Sequence, residues 1–339
     1  MNRSVPSPRL AVALLASLAF SSVSFVSAQP GQAPDDDGPP GGARQLEPGQ
    51  PAVVIHATVE RMEKYRAAHS SPFRSTKTKN LSYHGGTGGI GVETAPKVYL
   101  VLWGSQWASD PSGEATILEN FFDDVGGSSW LNSVTQYCQG VASGTIFCKG
   151  AGSPAGNQTG IFVSYWYDNA TAAPTHPTQS QLAAEAVRAA QQFGNTTAAS
   201  NASVQYVIAT AHNNNASGFG TQYCAWHSST SSTVGTVAYT NLPYITDAGA
   251  SCGANFNGLG PNAGITIVEG HELAETITDQ FPSTGWLDSN GAENGDKCAW
   301  ISSGQGASAN VTLSSNTYPV QSLWSNAFNS NAGGCVLSY

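Results

Sequence analysis

Two runs in this chain are apolar at almost every position: Val98-Tyr-Leu-Val-Leu-Trp103 and the stretch 204–211. A strand that is apolar on both faces must be covered on both faces. That is the situation of a central, largely parallel strand with helices above and below it. The segments around these runs have helical spacing. Residues 114–125 and 179–193 read as helices, the second opened by Thr178 as a cap and stopped by Gly194. Residues 129–137 read as a further helix, 160–166 as a strand, 235–240 as an edge strand and 263–278 as a helix. Strand and helix alternate, so the expected fold is α/β. It has a mixed, partly parallel sheet flanked by helices, then a loop-rich, disulfide-bonded C-terminal part with short strands near 309–313 and 318–323.

The N-terminus has a different character. Arg3 and Arg9 precede or flank an apolar run over 10–25, and Val26-Ser27-Ala28 offers small residues for cleavage. This is the layout of a secretory signal peptide over residues 1–28. The run is shorter than the roughly 20 residues a membrane span needs, and no later stretch qualifies. Residues 29–50 are rich in Pro, Gly and Asp and read as a disordered linker. Residues 53–68 have helical character, with Val54, Val59, Met62 and Tyr65 on one face. A basic run follows at 74–79, and composition changes at Asn80. The expected organisation is therefore a signal peptide (1–28), a linker and basic prosegment (29–79) and one secreted domain (80–339), extracellular or periplasmic.

Charge is scarce and unevenly placed. Charged residues make up 10% of the chain, against about 25% in an ordinary soluble protein. From Asn80 onward, Lys97, Lys149, Arg188 and Lys297 face sixteen Asp and Glu residues, a net of -12. Residues 51–79 carry a net of +4. No basic surface can track phosphates, so nucleic acid is excluded as a partner. The basic segment is expected to dock on the acidic body as an intramolecular partner and to be cut near 75–80. All six cysteines (Cys138, Cys148, Cys224, Cys252, Cys298 and Cys335) lie in that body. An even count in an exported chain implies disulfides, and of 15 pairings the sequential one is preferred: 138–148, 224–252, 298–335.

The segment that carries chemistry is 265–279. On a helix, His271, Glu272, Glu275 and Asp279 fall within an arc of roughly 100°. Ile267, Leu273, Ala274 and Ile277 take the other side. The pattern His271-Glu272-x-x-Glu275 resembles the His-Glu-x-x-His of zinc metallopeptidases. Residues i and i+4 sit one turn apart and can reach one ion. Glu272, beside the first ligand, is then the general base for the attacking water. Zinc accepts carboxylate oxygen as well as imidazole, while a carboxylate-rich set also suits another divalent metal. The third ligand must come from elsewhere. Glu293 is the first candidate by position and Asp296 the next, with Asp279, His227 and His212 as alternatives. Cys224-x-x-His227 is also half of a metal motif, without a second half. No Gly-x-Ser-x-Gly elbow is present.

Several pieces together resemble a secreted family. Tyr83-His84-Gly85-Gly86 is followed by the run 98–103. Trp130-Leu131 precedes Val134-Thr-Gln-Tyr137, and then come Tyr223-Cys-Ala-Trp-His-Ser228 and the late helix. Residues 80–339 are similar to the exordium or phosphate-induced proteins of plants, and more closely to their bacterial secreted relatives. The plant pattern lacks the His-Glu-x-x-Glu helix, so the departure falls where chemistry is expected. The sequence thus points to a secreted metal-dependent endopeptidase of zincin-like architecture, acting on a protein or peptide. The other reading is a non-catalytic exordium-like protein that binds a wall or matrix component.

Overall fold

The two apolar runs are neighbouring parallel strands at the heart of a seven-stranded sheet. The computed structural model describes Met1, residues 40–69 and residues 80–339. The signal peptide and the basic run at 74–79, with its expected cut, lie outside the described residues apart from Met1 and Asn80. The sheet strands are β1 (Ala43–Arg44), β2 (Val53–Ala57), β3 (Lys97–Trp103), β4 (Phe162–Asp168), β5 (Val204–Thr210), β6 (Tyr223–Ser232) and β7 (Gly235–Leu242). Their order is β1-β2-β6-β7-β5-β3-β4. The pairs among β7, β5, β3 and β4 are parallel; those among β1, β2, β6 and β7 are antiparallel.

Helices cover both faces. One core contains Leu118, Phe121 and Phe122 of α2 (Glu114–Val125) and Ile265, Val268 and Leu273 of α4 (Ala263–Thr278). The opposite core holds Leu182, Ala186 and Ala190 of α3 (Gln179–Gln192). Thr178 caps α3 with a full capping box: its hydroxyl accepts the Gln181 N–H, and the Gln181 side chain accepts the Thr178 N–H. The expected helix at 129–137 is a 3-10 turn, Leu131–Gln136. Beyond α4 come hairpins, chiefly Ala309–Leu313 with Asn316–Val320. The disulfides are Cys138–Cys148, Cys224–Cys252 and Cys298–Cys335, as preferred from the sequence. Among the described residues no helix is long and apolar enough to cross a membrane.

Three expectations change. The strand at 235–242 is interior, between β6 and β5, and not an edge. Its polar residues Thr240 and Asn241 are buried rather than solvated. Residues 53–57 form a strand, β2, and only Val59–His69 form a helix, α1. Five consecutive buried residues satisfy a two-sided strand as well as a helix start, and pairing with β6 decides between them. Residues 40–50 were expected to be linker, yet they supply β1. The described residues 40–69 and 80–339 belong to one compact unit, so the composition change at Asn80 is not a change of compact unit.

Candidate metal centre

The helix α4 is rich in Ile, Thr and Val, which are modest helix formers, so burial rather than propensity holds it. Every residue from Ala263 to Thr278 is buried. The ionisable face is therefore neither solvated nor lining an open cleft. It packs under β2, β6 and residues 286–300. At the helix end the Asp279 N–H donates to the Glu275 carbonyl at 2.7 Å. The Asp279 carboxylate then accepts the N–H groups of Ser283, Thr284 and Gly285 at 2.6, 3.0 and 2.6 Å. Those donors compensate an anion at a helix C-terminus. They also assign Asp279 to turning the chain.

That turn brings residues 293–296 back over α4. Asn294 locks the return by donating to the Ala274 carbonyl at 3.0 Å and the Thr278 hydroxyl at 2.6 Å. His271, Glu275 and Asp296 then converge, with one ligand atom from each within 4.8 Å of the others. Each is tied at one atom and open at another. His271 Nδ1 lies 3.3 Å from Gln321 Oε1, which makes Nδ1 the donor there and turns Nε2 toward Glu275 and Asp296. Glu275 Oε1 accepts the Asp296 N–H at 2.7 Å, leaving Oε2 3.1 Å from His271 Nε2. Asp296 Oδ2 accepts the Glu293 N–H at 3.1 Å, leaving Oδ1 3.8 Å from His271 Nε2. Gly295 is required at this point. A Cβ there would stand 2.6 Å from His271 Nδ1 and 2.9 Å from Glu275 Oε1.

The opposite wall is β6. Along it Ala225 faces the α4 core and Trp226 the α3 core, so His227 faces α4. His227 Nε2 lies 3.6 Å from Glu275 Oε2 and 3.5 Å from Glu293 Oε1. Glu293 thus stands beside His227, and Asp296 is the carboxylate grouped with His271 and Glu275. Glu272 lies between the two walls. It falls in one group with His227 and Glu275, and in another with His56 and His271. His212 pairs with Asp247 elsewhere. Cys224 is in a disulfide, so it is no ligand, and its bond to Cys252 braces the strand that carries His227.

The inward atoms share one property. His271 Nε2, Glu275 Oε2, both nitrogens of His227 and both oxygens of Glu272 and Glu293 are buried without a hydrogen-bond partner. Each such atom costs about 1–3 kcal/mol if left alone. A set of imidazole and carboxylate donors facing one another fits a divalent cation. Burial pushes Glu269, Glu272 and Glu293 well above the usual carboxylate range. Burial also lifts Asp296 to about 7, helped by the Glu275 charge. Burial would raise Glu275 too, but His271 and His227 outweigh it and hold it below the usual range. Burial lowers both of those histidines, and the carboxylates more than reverse this.

His56 of β2 is a member the sequence did not suggest. It was hidden in a segment with helical spacing, and only the strand assignment turns it toward α4. Its ring stacks on His271 with centroids 3.9 Å apart and planes 5° from parallel. Burial and the His271 charge keep it neutral. For His227, a signal was present in Tyr223-Cys-Ala-Trp-His-Ser228. No family model, curated protein or solved structure matches the chain.

Proposed function

We propose that the protein is a secreted metal-dependent endopeptidase. His271, Glu275 and Asp296 are the ligands, and His227 and Glu293 form the facing wall. The observation that carries this reading is the half-tied triad: one atom of each residue is fixed by a structural hydrogen bond, while His271 Nε2 and Glu275 Oε2 are turned inward unpartnered and Asp296 Oδ1 lies 3.8 Å from that Nε2. Such outer partners orient ligands and tune their basicity. A divalent ion, zinc or a harder metal, would supply Lewis-acid polarisation of a peptide carbonyl. Glu272 is the general base: it takes a proton from the attacking water and returns it to the leaving amine. Residues 51–79 act as a basic prosegment on the acidic body, released by cleavage near 75–80. Three disulfides in a chain with a signal-like N-terminus support export.

Metal analysis of protein prepared without chelator tests the centre, and casein hydrolysis by Glu272→Gln tests the mechanism. Bound metal is expected, and the variant should keep the metal and lose hydrolysis by at least about 100-fold. A processed Glu272→Gln protein as active as the parent would end the mechanism. Mature protein that begins at Gln29 and is fully active would end the prosegment assignment.

Complete burial of His271, Glu272 and Glu275 favours one other reading, a non-catalytic exordium-like protein that binds wall or matrix glycan on the same fold. It predicts glycan binding on an array and no hydrolysis after processing.

A further inference from the structure

Burial of the centre has a specific author in the fold, the strand β2. It pairs antiparallel with β6, setting Val54 opposite His227 and His56 opposite Ala225. The strand that carries the wall of the centre is therefore covered by the segment that carries His56. Both ring nitrogens of His56 are buried and without a hydrogen-bond partner. His56 and His271 are stacked in parallel, so their lone pairs, which lie in the ring planes, run side by side. The two rings cannot converge on one ion in that pose. His56 thus fills space over His271 rather than adding a ligand. Trp300 clamps the segment: its ring stacks on His56 at 4.8 Å, and its indole N–H donates to the Ala57 carbonyl at 2.7 Å. Arg66 of α1 donates to the carbonyls of Ala299 and Trp300. On the other flank Gly41 lies so close to the Asp296 carboxylate that any side chain would collide with it.

We propose that the β6 edge beneath β2 is the binding site for an extended peptide, and that Val53–Ala57 is its intramolecular occupant. An extended chain added antiparallel to β6 satisfies the backbone groups of Ala225 and His227 just as β2 does, which is how strand addition secures a peptide. One residue of such a peptide, at the place of His56, would stand over His271 and Glu272. The occupied state is closed, and the centre opens only when β2 leaves. This rests on the endopeptidase reading for its consequence, but its test does not use hydrolysis.

The test is exchange. A specific protease site is inserted between residues 69 and 80 of the full chain, the chain is nicked, and a fluorescein-labelled peptide with the sequence of residues 50–60 is added. The nicked protein should remain folded and take up the label, while the intact chain, whose own segment is held at millimolar effective concentration, takes up at least about 100-fold less. A scrambled peptide should not bind. In the nicked chain His56→Ala should speed uptake about tenfold, the worth of one stacked pair. A nicked protein that stays folded yet takes up no label overturns the proposal. So does a body that unfolds once nicked, because β2 would then be a permanent strand. Uptake of label without metal-dependent hydrolysis upholds the binding site and refutes the peptidase. Metal-dependent hydrolysis by the folded nicked chain without uptake does the reverse.

Discussion

Gly295→Ala is the sharpest perturbation of the centre because it removes no ligand. The added Cβ, 2.6 Å from His271 Nδ1 and 2.9 Å from Glu275 Oε1, must move away from both, chiefly from His271, since real Cβ contacts under 3.0 Å are essentially not seen. Both atoms are the tied ends of ligands, so the shift breaks the Gln321 and Asp296 hydrogen bonds that aim Nε2 and Oε2 inward. Overpacking a buried site costs about 1–3 kcal/mol even without metal. Loss of outer-shell support weakens a metal site by about 10–100-fold. At free zinc 100 times the parent Kd, metal stabilises the parent by about 2.7 kcal/mol and the variant by only about 0.4–1.4 kcal/mol. At about 2–4 °C per kcal/mol for a domain of this size, the metal-dependent rise in Tm should shrink by about 3–9 °C. The assay is thermal unfolding with zinc and with EDTA, alongside zinc titration calorimetry. A variant with the parent's zinc affinity and the parent's metal-dependent rise in Tm would refute the half-tied triad.

Other consequences follow from the same structure. Replacing Cys224 and Cys252 together by Ser opens a loop of 28 residues, worth about 3–4 kcal/mol by loop entropy, and should also weaken zinc binding through His227; unchanged affinity in the folded variant would detach β6 from the centre. Glu114 of α2 is pushed up to about 8 by burial. Its folded form holds a proton that the unfolded chain releases above the ordinary carboxylate value, so stability falls as pH rises toward 8. Glu114→Gln, which keeps the acceptor for the Ile245 N–H, should remove up to about 4 kcal/mol of that fall between pH 5 and 8.5. Urea midpoints at the two pH values, compared with the parent, measure it; an identical pH dependence in parent and variant would contradict the assignment. His227→Ala should lower zinc affinity about tenfold or more while sparing the fold, read by the same calorimetry; a smaller loss makes His227 a bystander.

The fold was largely legible because its central strands and capped helices announce themselves locally. Val98 to Trp103 can be read as a buried strand without knowing its neighbours, and Thr178 with Gln181 is a complete start signal for α3. The sequential disulfides were legible for a similar reason, since each closes a modest loop. Strand position was not local information. Residues 235–240 read as an edge strand, but their place between β6 and β5 and their cover by α3 and α4 are set by segments elsewhere in the chain. The candidate site on α4 was legible from the spacing of His271, Glu272 and Glu275 in a body poor in charge. Its cover was not, because His56 and Trp300 meet it from opposite ends of the chain. The choice between Glu293 and Asp296 turned on a single peptide N–H, that of Glu293, which ties one oxygen of Asp296 and aims the other at His271. No spacing rule reports that.

Metal content tests the central claim most directly. Full-length protein prepared without chelator and dialysed against trace zinc should carry about one tightly held divalent ion per chain by mass spectrometry, as expected for a single site with three protein ligands. His271→Ala and Glu275→Ala should lose it while keeping the far-ultraviolet spectrum of the parent. A parent without stoichiometric metal, or an equal content in folded His271→Ala, would contradict the claim that these buried donors face one another to hold a cation.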